Sequence, residues 1–222
     1  LDLILSQGAG FRMGPFTLLD LTGLDVTHPA TELIYRQFYE EPRYRPNVMM
    51  RARMEAGMLG RKTKRGFYDY SSAKQDFPEE AAYPQYDGRP VWISRAEADG
   101  HAVLTEIVSK IGGNLETGDA PGNNALILVT PIGNDVTTMA VAQGLDPART
   151  LGVDTLVGLA TRRTIMTNPA TEPAYRDAAH GLLTGDGVKA TIIRDCPGFV
   201  CQRILSTICN IGCQIAQFGT AE

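Results

Sequence analysis

The hydrophobic pattern of this 222-residue chain changes at Val91, and that change limits the folds the chain can adopt. Before Val91, apolar residues such as Leu33, Ile34 and Phe38 recur at roughly helical spacing, so residues 1–70 are expected to form a compact all-α part. From Val91 onward, short apolar runs alternate with helix-like segments, which is typical of α/β proteins. The sequence therefore predicts an α/β part joined to an all-α part.

The α/β part is expected to form an incomplete doubly wound parallel sheet over residues 91–194. Its candidate strands are residues 91–93, 125–129, 150–153, 164–166 and 188–193. Its candidate helices are residues 96–111, 137–143 and 171–183, and a longer helix at 199–218 belongs to the last segment, 195–222. Residues 71–90 are polar, contain prolines and lack periodicity, so they are expected to be a linker.

Composition and charge exclude several classes of protein. A net charge of −4 argues against nucleic acid as a partner, since such proteins normally carry a basic surface. The apolar runs are far shorter than a membrane span, so no membrane partner is expected. The four cysteines all follow residue 195, and their spacing is typical of neither a disulfide framework nor a zinc site. We therefore expect a cytoplasmic protein without a metal centre.

The first candidate strand is not followed by the glycine-rich turn that binds a dinucleotide. Such a site needs glycines directly after the strand, so that the backbone and a helix N-terminus can approach the pyrophosphate. Residues 94–99 contain no glycine, and Glu97 would repel phosphate. The glycine cluster at 8–14 has one residue too many for this motif and follows a helix end. No cofactor-binding residue is therefore expected in this chain.

Three stretches carry a resemblance to a known family. They are GAGFRMGPFTLLDLTGLD at 8–25, LGRKTKRGFYDY at 59–70 and DCPGFVCQRILSTICNIGCQIA at 195–216. Together they resemble the 3-hydroxyacyl-CoA dehydrogenases, whose NAD-binding doubly wound domain is joined to a helical C-terminal domain. The first two stretches are similar to the helical domain, and the third is similar to the junction where the last strand of the sheet enters that domain.

The order of these stretches resembles the internally duplicated long members of the family. It implies that residues 1–70 are a helical C-terminal-type domain lacking its first helix. Residues 91–194 would be a degenerate Rossmann-like domain, and residues 195–222 the first helix of a second helical domain. The resemblance also implies an upstream NAD-binding domain that holds NAD, an acyl-CoA substrate and a homodimer.

The catalytic groups of the family are replaced in this chain. In the family, a histidine held by a glutamate removes the proton of the substrate hydroxyl. The resemblance matches that histidine with Asp154, puts the glutamate near Met166, and matches a family asparagine with Gln202, just before Arg203. An aspartate with a pKa of about 4 is a poor base for an alcohol at neutral pH. We therefore predict no catalytic residue and interpret residues 91–222 as a non-catalytic duplicate.

By resemblance, the loop at the start of the chain borders the acyl end of the substrate pocket. The predicted substrate-binding residues are Met13, Pro15, Phe16 and Leu18. The alternative is a helix turn that only packs on the domain core, and Arg12 stands where the family often has proline. Six basic residues either contact CoA phosphates or an acidic partner, or form a solvated surface. They are Arg51, Arg53, Arg61, Lys62, Lys64 and Arg65.

The resemblance implies that the chain is part of an NAD-dependent 3-hydroxyacyl-CoA dehydrogenase that acts in fatty-acid β-oxidation or in aromatic-acid breakdown. There it would supply part of the substrate-pocket wall and support dimerisation. The alternatives are a non-catalytic structural or interaction module, and a sheet that binds another nucleotide, such as the adenine of CoA. The apolar face of the helix at 199–218 is expected to pack on residues 1–58. That face comprises Val200, Ile204, Ile208, Ile211 and Ile215.

Overall fold

The computed structural model describes residues 1–72 and 79–219 and divides into two compact units. The helical unit comprises Asp2 and Arg12–Ala81. The sheet unit comprises Leu1, Leu3–Phe11 and Ala82–Glu222. Residues 79–90 contain neither helix nor strand, and residues 73–78 of the predicted linker lie outside the described residues.

The helical unit has the all-α character expected from its sequence. Its helices are α1 (Pro15–Thr22), α2 (Leu24–Gln37) and α3 (Val48–Glu55), with 3₁₀ turns at Pro42–Tyr44 and Arg61–Thr63. Pro15 opens α1, where a missing backbone N–H costs nothing. The side chain of Asn47 caps α3 by accepting a hydrogen bond from the backbone N of Met49 at 2.8 Å.

The sheet unit contains a five-stranded, mostly parallel sheet with the strand order β1-β2-β3-β4-β5. The strands are β1 (Val91–Ile93), β2 (Leu126–Val129), β3 (Thr150–Val153), β4 (Arg162–Thr167) and β5 (Lys189–Ile193). The expectation of a wholly parallel sheet is wrong at one pairing, because β3 and β4 are antiparallel. Only residues 154–161 connect these two strands, and a parallel crossover needs a dozen residues or more.

Helices cover both faces of this sheet, as a doubly wound fold requires. They are α4 (Ala98–Ile111), α5 (Val136–Gln143) and α6 (Pro173–Leu182). A further helix, α7 (Cys201–Gln217), follows β5 and is exposed over most of its length. Leu104 of α4 and Leu182 of α6 pack in one buried cluster with Leu126 of β2. Met139 of α5 packs in a separate cluster with Val129, the side chain that points to the opposite face of β2. Among the described residues, no helix is both long and apolar enough to cross a membrane.

The helix α7 contacts the start of the chain within the sheet unit. Residues Ile4–Gly8 form a π-helical turn, and the Sγ atom of Cys201 lies 3.8 Å from the Ile4 carbonyl oxygen. Val200 joins Ile4 and Leu5 in the same apolar cluster. The expected contact with residues 1–58 is therefore present at Val200, whereas the four isoleucines of the predicted face are exposed in the structure.

Candidate functional site

A buried carboxylate fixes the loop that carries the four predicted substrate residues. Asp2 accepts hydrogen bonds from the backbone N of Phe16 at 2.9 Å and from the backbone N and Oγ1 of Thr17 at 2.8 and 2.7 Å. It thereby caps the N-terminus of α1 from a distant point in the sequence. A Cβ on Gly14 would lie 2.3 Å from the Cα of Asp2, so only glycine permits this close approach.

A second buried carboxylate, Asp20, joins α1 to the segment that follows the Arg61–Thr63 turn. It accepts hydrogen bonds from the backbone N atoms of Phe67 and Tyr68 at 2.8 and 2.9 Å and from the Tyr70 hydroxyl at 3.1 Å. Burial raises the pKa of Tyr70 to about 12, and the Asp20 carboxylate adds to the rise. Asp20 and these partners lie almost fifty residues apart in the sequence, so no local sequence pattern predicts the hydrogen bonds between them.

Of the four predicted substrate residues, Phe16 has the best-defined packing. Its ring stacks on Phe67 with the ring centroids 4.5 Å apart. Met13 and Pro15 are also half-buried, while Leu18 is exposed over 47% of its surface. The loop therefore offers partly exposed apolar surface on a rigid base. That arrangement suits a pocket wall, and it also suits the alternative of a turn packed on the core.

In the sheet unit, the structure brings together two positions that the resemblance matched with catalytic groups. Gln202, at the start of α7, donates from Nε2 to Asp154 Oδ1 at 3.0 Å and to the Pro131 carbonyl oxygen at 3.2 Å. Its Oε1 accepts a hydrogen bond from the backbone N of Gly133 at 2.9 Å. Gln202 is thus occupied by contacts within the protein. Met166 lies in an apolar cluster and supplies no charge.

Asp154 has no surface open to a substrate. It is 0% exposed, and its Oδ2 atom has no hydrogen-bond partner among the residues that the structure describes. Burial raises its pKa, while the hydrogen bonds from Gln202 and the backbone of Leu156 act in the opposite direction. In this structure the carboxyl group therefore has no exposed oxygen to accept a proton from a bound alcohol.

The turn after β1 does not fit the pyrophosphate of NAD. The first turn of α4 carries Asp99, and Glu97 stands at its N-cap, so two carboxylates occupy the end that would face phosphate. A Cβ on Gly100 would lie 2.3 Å from Thr130 Oγ1. This glycine, which the sequence analysis did not consider, therefore serves the close packing of α4 beside the end of β2 and not a phosphate cradle.

Comparisons with known proteins find sequence similarity for the first 70 residues, which include most of the helical unit. Residues 1–70 match the family model of the 3-hydroxyacyl-CoA dehydrogenase C-terminal domain. The chain is 36% identical over 75 residues to 3-hydroxyadipyl-CoA dehydrogenase of Escherichia coli K12, covering 34% of this chain and 16% of that protein. It is 40% identical over 74 residues to 3-hydroxybutyryl-CoA dehydrogenase of Bradyrhizobium diazoefficiens, covering 33% and 25%. Residues 1–70 are thus similar to the C-terminal domain of the 3-hydroxyacyl-CoA dehydrogenases.

A solved structure extends the likeness in fold to the sheet unit. The crystal structure of 3-hydroxybutyryl-CoA dehydrogenase from Escherichia coli K12 aligns with a TM-score of 0.71 and 22% identity, covering 100% of this chain and 41% of that one. The fold class expected from the sequence is therefore confirmed. The chain spans a quarter or less of the two curated relatives named above.

Proposed function

We propose that this chain is part of an NAD-dependent 3-hydroxyacyl-CoA dehydrogenase. In that reaction the substrate hydroxyl loses a proton and its carbon loses a hydride, which NAD accepts, leaving a 3-oxoacyl-CoA. The match of residues 1–70 to the family's C-terminal domain is the observation that carries the proposal. NAD would be held by an upstream domain, because the turn after β1 does not fit it.

The part we assign to the helical unit is a wall of the acyl-CoA pocket. Met13, Pro15, Phe16 and Leu18 would contact the acyl chain. The carboxylates of Asp2 and Asp20 support this role, because they hold the loop and its aromatic base rigid without taking up its apolar surface. Rigid walls place a substrate at low entropic cost.

The part we assign to residues 91–194 is that of a degenerate, non-catalytic Rossmann-like scaffold, followed by the first helix of a second helical domain at 195–222. The enclosed Asp154 and the acidic N-terminus of α4 support this assignment. A homodimer, a cytoplasmic location and a place in fatty-acid β-oxidation complete the proposal. Exposed apolar side chains on α2, such as Leu33 and Ile34, support association with a second copy.

The test compares the chain alone with the chain joined to its upstream NAD-binding domain. The joined protein is expected to reduce acetoacetyl-CoA, which is measured as the loss of NADH absorbance. The chain alone is expected neither to reduce acetoacetyl-CoA nor to bind NAD. Phe16→Ala in the joined protein should raise the KM for acetoacetyl-CoA about tenfold, because it removes a half-buried apolar ring from the wall. An inactive joined protein would favour the structural module instead.

A further inference from the structure

The helical unit contains an open groove between α3 and the segment that carries Phe67. It has a volume of about 750 Å³, within the usual range for small-molecule sites. Its lining includes Met49, Ala52, Arg53, Met58, Arg65 and Phe67. The groove therefore combines an apolar floor with two guanidinium groups. None of the four predicted substrate residues is among those that line it.

Contacts on two sides hold the Arg53 side chain in place. Its Nη1 donates to the Gly66 carbonyl oxygen at 2.8 Å, and its guanidinium carbon lies 4.4 Å from the centroid of the Phe67 ring. Across the described residues, Nε and Nη2 of Arg53 have no hydrogen-bond acceptor and the guanidinium has no carboxylate partner. By contrast, Arg51 on the same helix pairs with Glu55 at 2.8 Å.

The charges that line the groove favour an anion. The lining contains one acidic residue, Asp69, and two arginines, Arg53 and Arg65. Asp69 accepts a hydrogen bond from the backbone N of Ser71 at 2.7 Å, and its pKa is lowered by Ser71 and further by Arg65. With Asp69 ionised, the lining still carries a net positive charge. A guanidinium edge with two uncommitted N–H groups matches the paired oxygens of a carboxylate or phosphate.

We propose that this groove binds an amphipathic small molecule that has an alkyl chain and an oxyanion head group. The head group, a carboxylate or a phosphate, pairs with Nε and Nη2 of Arg53. The alkyl chain lies against Met49, Ala52 and Met58. Because Arg53 is already held by Gly66 and Phe67, binding costs little side-chain entropy.

The experiment uses the full chain with ¹³C-labelled methionine methyl groups and is read by NMR. Octanoate and octyl phosphate are titrated separately, so that the two head groups are distinguished. Binding at the groove should shift the Met49 and Met58 methyl signals and leave those of Met139 and Met166 in the sheet unit unchanged. Octanol and octylamine, which lack the anion, should bind at least tenfold more weakly.

Variants separate the guanidinium from the groove itself. Arg53→Met should weaken binding about tenfold, and the matched change Arg51→Met should leave it within about twofold. Ala52→Leu places a larger side chain in the apolar part of the groove, leaves Arg53 unmutated, and should also weaken binding. This variant tests the proposal even if Arg53→Met fails to fold. Equal affinity for octanoate and octanol, unchanged Met49 and Met58 signals, or a groove occupied by a second copy at NMR concentration would each overturn the proposal.

Discussion

Asp154 shows how a single buried acid makes stability depend on pH. Its folded pKa is raised above the unfolded value by burial, so its ionised form opposes folding. That penalty is absent below the unfolded pKa and grows as pH rises through the folded one. Asp154→Asn keeps the oxygen that accepts from Gln202 and removes the charge. The free energy of unfolding of the variant, relative to the wild type, should therefore rise between pH 3 and pH 8.

Urea unfolding followed by circular dichroism at several pH values measures this difference. Asp146→Asn is the control, since that carboxylate is partly exposed, lies beside Arg149, and has a lowered pKa. The free energy of unfolding of Asp146→Asn, relative to the wild type, should therefore fall as pH rises. A pH-independent difference for Asp154→Asn would show that the acid is ionised equally in both states.

Asp20 is the residue on which the predicted pocket wall depends. Asp20→Ala leaves the backbone N atoms of Phe67 and Tyr68 and the Tyr70 hydroxyl without their acceptor. We expect a loss of about 3 kcal/mol in the free energy of unfolding of the helical unit, measured by urea titration. Asp25→Ala is the matched control, because this carboxylate is exposed and its ion pair with Lys62 is exposed too. Equal losses in the two variants would contradict the role given to Asp20.

A half-buried ion pair joins β4 to the turn between α6 and β5. Arg163 is 3% exposed and donates to Asp186 Oδ1 and Oδ2 at 2.8 and 2.6 Å and to the Leu183 carbonyl oxygen at 2.7 Å. Asp186→Asn leaves this cation without its charge partner. We expect a loss of about 2 kcal/mol at pH 7, less than for a fully enclosed pair because the carboxylate is partly exposed.

The sign of the accompanying pH dependence follows from the folded pKa of Asp186. Arg163 lowers the pKa of Asp186 in the folded state. The ion pair therefore stabilises the fold at a pH above the pKa that Asp186 has in the unfolded chain. This stabilisation is lost as the pH falls through the lower pKa of the folded state. The stability difference between the wild type and Asp186→Asn should therefore shrink in acid, as measured by thermal unfolding at pH 7 and pH 3. A difference that grows in acid would contradict this assignment.

Most helices and strands are predictable from the sequence, but the way the strands pair is not. Buried apolar runs such as 125–129 are recognisable because both of their faces are covered. The antiparallel pairing of β3 with β4 follows from the length of one loop, which is not visible until the strand ends are known. The role of Gly100 in α4 has no sequence signal for a similar reason, because its close neighbour Thr130 lies thirty residues further on, just after β2.

For the molecule as a whole, the two units differed in how far their roles could be predicted. Residues 1–70 retain local motifs that identify a family, and the match to that family bears this out. The candidate site within them depends on Asp2 and Asp20, whose partners are distant in sequence and lack any local signal. In the sheet unit the sequence offers no comparable motif, so its role is predicted from replacements such as Asp154.

This difference leads to a prediction about the full chain and NAD. A ligand that binds only the folded state at a hundred times its Kd adds about 2.7 kcal/mol of stability, which is readily seen as a higher Tm. Because Glu97 and Asp99 occupy the N-terminal end of α4, NAD should leave the Tm of the chain unchanged in calorimetry. Neutralising both, with Glu97→Gln and Asp99→Asn, should still give no shift, since residues 94–99 lack the glycines that allow the backbone to approach pyrophosphate. A Tm that rises with NAD in the wild type would mean that the sheet has kept a nucleotide site.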